Sequence, residues 1–172
     1  MIADIVKTAI AFFVAAVFQA TIVSSVEPGG GSADLVLVTL AAVALLRGST
    51  FGAIAGFYAG FLVDSANLGT LGVTSLLLTL AGYWIGRYGE TAGRDRAHAP
   101  LLSIAVFTVL YAFGALVLHA MLGEAVSVQS GLRSLPAQIL LNLALTVPVF
   151  ALCRRLFGPS GSRLAVKEVE FS

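Results

Sequence analysis

Of the 172 residues, 58% are hydrophobic and only 11% charged, with 10 Lys and Arg against 9 Asp and Glu for a formal net charge of +1. Soluble domains carry about 25% charged residues, so at a mean hydropathy of +0.97 the polar groups cannot cover a water-soluble globule and the chain reads as one compact integral membrane domain. That charge balance indicates neither a nucleic-acid partner nor an acidic substrate, and a single cysteine, Cys153, excludes an intramolecular disulfide or a thiolate metal cluster.

Charges, glycines and prolines divide the chain into six apolar segments, at about 5–26, 34–46, 50–64, 71–86, 100–122 and 135–157. The first is long for a signal-peptide core and is followed only by weak cleavage signals, so it is read as a retained span. The fifth and sixth also reach the roughly 20 residues needed to cross a hydrocarbon core of about 30 Å. The second, third and fourth are shorter. Asp34 to Leu46 rises only about 20 Å as a helix, so these spans extend into flanking loops, tilt, or thin the bilayer; five-span and re-entrant arrangements remain open there. Residues 1–157 form the six-span domain of this reading. The tail 158–172, which opens on the breaker cluster "GPSGS", is expected to be mobile.

Basic residues set the orientation. With six spans and the N-terminus inside, Lys7, Arg47, Arg87, Arg94, Arg96, Arg154, Arg155, Arg163 and Lys167 fall on the cytoplasmic side, and only Arg133 falls outside. The bias alternates with every loop, which supports an even number of spans with both termini cytoplasmic.

Within the third segment, "GSTFGAIAGFYAGFLVD", Gly48, Gly52, Gly56 and Gly60 recur every fourth residue and the next step lands on Asp64. Glycine costs roughly 1 kcal/mol in an ordinary helix interior. In lipid, helices associate by close packing, and small residues four apart let two backbones approach. The stripe therefore marks a packing face, either within the chain or between chains. Steps of four drift by about 40° each, so only neighbouring members share a face; Gly56, Gly60 and Asp64 lie within roughly 80°. Asp64 has two readings. It either ends its helix at the headgroups, helping to cap the next helix at Asn67, or it orders the next loop and meets a partner.

Gln19 and Asn142 are read as interhelical hydrogen-bonding residues, His119 as interfacial, Trp84 and Tyr88 as an inner aromatic belt, and Pro148 as a kink in the sixth span. Cys153 is read as a packed small hydrophobe. His119 has no second histidine or cysteine at ligand spacing. His98 and His119 fall on opposite sides of the membrane, and Asp64 has no carboxylate partner within the membrane. Neither a serine–histidine pair nor an aspartyl dyad is therefore indicated. No catalytic residue, metal site or cofactor is expected.

The run "GFYAGFLVDSANLGTLGVTSLLLTLAGYWIG", with Gly56, Gly60 and Asp64 followed by Leu71-Gly72 and Gly82-Tyr83, resembles the bacterial rod-shape-determining membrane protein family MreD. The resemblance extends to Gln19, Asp34-Leu35, Arg47-Gly48, and "LLNLALTVPVFALCRRLF" with Asn142, Pro148 and Arg154-Arg155. Ala33 departs from it, because the family usually has proline before the acidic residue.

The resemblance implies an all-α, six-helix transmembrane bundle similar to the S components of energy-coupling-factor transporters. It also implies a non-enzymatic inner-membrane scaffold of the cell-elongation machinery that helps regulate peptidoglycan synthesis. The implied partners are membrane lipids and the bitopic, largely periplasmic MreC. Links to RodA, a class B penicillin-binding transpeptidase and MreB are implied indirectly, and a homo-oligomer is possible. Candidate partner-binding or structural residues are Asp64, Asn67, Gly69, Leu71, Gly72, Gln19, Asp34 and Asn142. Helix-packing candidates are Gly48, Gly52, Gly56, Gly60, Gly82 and Gly86.

The rival reading is an S-component-like binder of a vitamin or other small molecule, or a lipid-binding subunit. It rests on the small-residue pairs Ala11/Ala15 and Ala16/Ala20 in the first span. The outer loops, however, offer few polar and aromatic groups to converge on a polar ligand.

Overall fold

The computed structural model describes residues 2–21, 33–67, 71–92, 99–123 and 128–157. The expectations for Gly69 and for the tail 158–172 lie outside the described residues, as does that for the side chain of Asn67. Among the described residues six helices follow one another: α1 (Ile2–Thr21), α2 (Leu35–Arg47), α3 (Ser49–Asn67), α4 (Val73–Ala92), α5 (Ala99–Met121) and α6 (Val128–Phe157). No strand occurs among the described residues. The short middle segments resolve differently: α3 and α4 run past their predicted ends to 19 and 20 residues, whereas α2 stays at 13. The sixth helix starts at Val128, not Leu135, and is continuous through Pro136 and Pro148 for 30 residues.

The short helix is the centre of the molecule. Every residue from Val36 to Leu45 is buried, and α2 packs against all five other helices. A helix apolar all round belongs in such a place. Because its ends lie inside the bundle, the backbone groups at its N-terminus cannot be left to solvent. Side chains satisfy them. Asp34 accepts from the Leu37 N–H at 2.8 Å, Gln19 of α1 accepts from the Val36 N–H at 3.0 Å, and Asn142 of α6 accepts from the Asp34 N–H at 2.7 Å. The start of α2 is thus held by three side chains, and Ala33 before it needs no proline.

The outer surface is the reverse of the centre. Phe13, Phe18, Ile54, Phe57, Phe61, Trp84, Phe113, Met121 and Leu140 are all exposed, spread over five helices. Soluble monomers rarely show contiguous apolar patches above a few hundred Å²; here the apolar side chains point to lipid. Pro100–Met121 and Gly131–Phe157 are long and apolar enough to cross a membrane, and the apolar stretches Ile5–Thr21 and Leu35–Arg47 are shorter. Cys153 is buried as a small core residue.

Candidate functional site

The glycine stripe of α3 lies against α4 over its whole length. A Cβ at Gly52 would strike the Gly82 carbonyl, one at Gly56 the Leu78 carbonyl, and one at Gly60 the Ser75 backbone, all inside the 3.0 Å that real Cβ atoms essentially never reach. From the other side, Gly82 faces the Gly52 backbone and Gly86 the Gly48 backbone. The contact is backbone on backbone and lies within one chain. The stripe winds round α3, and α4 follows its drift and meets every member in antiparallel order.

The fifth step of the stripe explains Asp64. It is 4% exposed and sits where α3 meets the start of α4. Its carboxylate accepts from the N–H groups of Gly72 at 2.8 Å, Thr74 at 3.2 Å and Ser75 at 3.3 Å, and from the Ser75 hydroxyl at 3.3 Å. These are the free donors of a helix N-terminus, where a negative charge also meets the positive end of the helix dipole. Gly72 adopts φ +101°, a region nearly closed to other residues, and its carbonyl begins α4 by accepting from Leu76 at 2.9 Å. Asp64 therefore caps the neighbouring helix, and only a glycine seam brings the two backbones close enough for one short side chain to do so. The turn that Asp64 holds leaves Leu71 67% exposed.

The opposite end of the pair repeats the device with the helices exchanged. Glu90 of α4 accepts from the Ser49 N–H at 2.8 Å and from the Ser49 hydroxyl at 3.1 Å, which caps the first turn of α3. Arg87 approaches the same carboxylate at 3.7 Å. Gly48, at φ 99° and ψ 179°, lies in a region essentially reserved for glycine. It closes α2 through its N–H on Ala44 and opens α3 through its carbonyl to Gly52.

Sequence reasoning missed Glu90, although a signal was present. Gly82, Gly86 and Glu90 have the spacing of Gly56, Gly60 and Asp64, so the same pattern of two glycines and an acid occurs on both helices. The charge of Arg87 reads as the end of a span and places Glu90 in a loop.

The remaining polar candidates also converge. Gln19, Asp34 and Asn142 meet at the start of α2, and the Asn142 amide donates to Thr108 of α5 at 3.0 Å. Helices α1, α2, α5 and α6 thus contribute to one polar cluster inside the bundle. Asp34 caps its own helix, α2, whereas Asp64 of α3 caps α4.

At the other end, basic side chains cover helix carbonyls. Arg47 donates to the Phe157 carbonyl at 3.3 Å and lies over the Phe157 ring at 5.5 Å, while Lys7 reaches the Leu156 carbonyl at 3.5 Å. Positive charge there opposes the negative end of the α6 dipole.

A helical membrane bundle, tied by side-chain caps between its helices at both ends, is the class of protein that this architecture defines. Residues 2–156 match the sequence model of the family described as rod shape-determining protein MreD. The chain belongs to that family, whose members act in rod shape determination. Neither the curated proteins nor the solved structures supply a match.

Proposed function

We propose that the protein is a non-enzymatic scaffold of the bacterial inner membrane. In this reading it crosses six times with both termini cytoplasmic, binds the bitopic MreC, and helps regulate peptidoglycan synthesis during elongation. RodA, the class B transpeptidase and MreB are reached through that complex. The family match over residues 2–156 carries the proposal. The geometry supports it in one respect: the acid and amide side chains Gln19, Asp34, Asp64 and Asn142 accept backbone N–H groups at the starts of α2 and α4. The rival reading has less support. Ala15 and Ala16 of the first-span pairs are buried in the bundle core, which leaves less of that small-residue face for a partner.

The partner-facing element of this proposal is the turn before α4. Asp64 fixes the Gly72 N–H, and the turn thereby presents Leu71. Leu71→Asp is expected to reduce MreC recovered on affinity purification from native membranes by several-fold without changing thermal stability. Asp64→Ala should lower both. Unchanged MreC recovery with Leu71→Asp would remove this turn from the interface, and loss of MreC from unaltered preparations would overturn the scaffold reading. Native mass spectrometry of the same preparation distinguishes the rival, which requires a stoichiometric small ligand and no retained protein.

A further inference from the structure

We infer that the cleft between the first turn of α5 and the last turns of α6 is a binding site for an anionic phospholipid. The cleft is an open groove of about 470 Å³, within the roughly 300–1,000 Å³ of small-ligand sites. Its walls are built in two chemically distinct parts. Pro100 and Leu101 of α5 and Val147 and Phe150 of α6 form an apolar trough, and Arg154 and Arg155 close one end of it.

An apolar trough ending in two cations matches an amphiphile with an acyl chain and an anionic head. Three observations favour that occupant. Both arginines are exposed, whereas the nearby Lys7 and Arg47 are engaged with the α6 carbonyls of Leu156 and Phe157. Pro100 and Leu101 belong to the first turn of a 23-residue helix, so the positive end of the α5 dipole lies at the same cleft. The one buried hydroxyl on its wall, Thr146, donates to the Asn142 carbonyl, which leaves the trough itself apolar. Guanidinium groups form paired hydrogen bonds with phosphate oxygens, and basic pockets between membrane helices bind anionic headgroups by this combination. The phosphate sits on Arg154 and Arg155, and one chain lies along Val147 and Phe150. The inner-leaflet placement rests on the proposed orientation; binding of the lipid does not.

The test uses the full chain in vesicles of phosphatidylcholine containing a minor fraction of brominated phosphatidylglycerol or, separately, brominated phosphatidylcholine. Trp84 is the only tryptophan, so Trp84→Phe with Phe150→Trp places a single quenchable reporter in the cleft. Brominated phosphatidylglycerol is expected to occupy the site with at least roughly fivefold preference, the effect of one well-placed arginine at a membrane surface. Arg154→Ala with Arg155→Ala should abolish the preference, the paired lysine variant should retain much of it, and Arg87→Ala on α4 should leave it intact. Native mass spectrometry of the protein with its own Trp84 and Phe150 gives a second readout, with an anionic phospholipid retained and then lost in the double alanine variant. Equal quenching by the two lipids would overturn the proposal. So would displacement of the preference by sodium phosphate against chloride at matched ionic strength, which would make the arginines a site for a free anion.

Discussion

The two helix hairpins α3–α4 and α5–α6 solve the same problem of association in lipid by opposite means. In α3–α4, Gly52, Gly56, Gly60, Gly82 and Gly86 each bring backbone against backbone, and a carboxylate from each helix caps the start of the other. In α5–α6, a Cβ added at Gly131 would meet only the Leu116 methyls, at 3.7 and 3.8 Å. These two helices are long and apolar, and Asn142 hydrogen-bonds to Thr108 between them. Where little hydrophobic force acts between helices, close packing must supply the attraction, so the short helices depend on their seam. The long ones are committed to the bilayer by their own length and apolarity.

Substitutions that add volume at equivalent points should separate the two designs most clearly. Gly56→Val must push two backbones apart and is expected to cost about 3 kcal/mol or more, at the upper end of overpacking penalties, measured by SDS titration in mixed micelles. Asp64→Ala comes next. It leaves the N–H groups of Gly72, Thr74 and Ser75 without their charged acceptor, for a loss of about 2–3 kcal/mol, and Asp64→Asn should fall in between because one oxygen acceptor survives. Glu90→Ala removes the reciprocal cap, but its side chain is 33% exposed and water can replace it. A loss of about 1 kcal/mol, typical of an N-cap, is expected in the same titration. The smallest effect reverses sign. Gly131→Ala has room for its methyl and replaces a poor helix former, so a gain of up to about 1 kcal/mol should follow. Equal losses for Gly56→Val and Gly131→Ala would erase the distinction between the hairpins.

A large part of this was written in residue types and spacing. The glycine period of four, ending on Asp64, identifies a packing face, and Gln19, Asp34 and Asn142 stand out as polar residues at or within apolar runs. Their mutual positions were not legible. Gln19 and Asn142 are far apart in the chain, and nothing in the spacing brings both to the first turn of α2. Glu90 carries the same local pattern as Asp64, yet the neighbouring Arg87 and the polar residues after it make that stretch read as loop.

Composition and period alone determined that the chain is an all-helical membrane protein with a small-residue seam, because apolarity and the helical repeat are local properties of the residues. The tertiary structure decided what the seam grips. It set α3 against α4 within one chain, buried α2 at the centre, and turned Asp64 and Glu90 into caps for each other's helices. A cap needs a donor and an acceptor about 3 Å apart, and that distance exists only after two backbones have closed on one another.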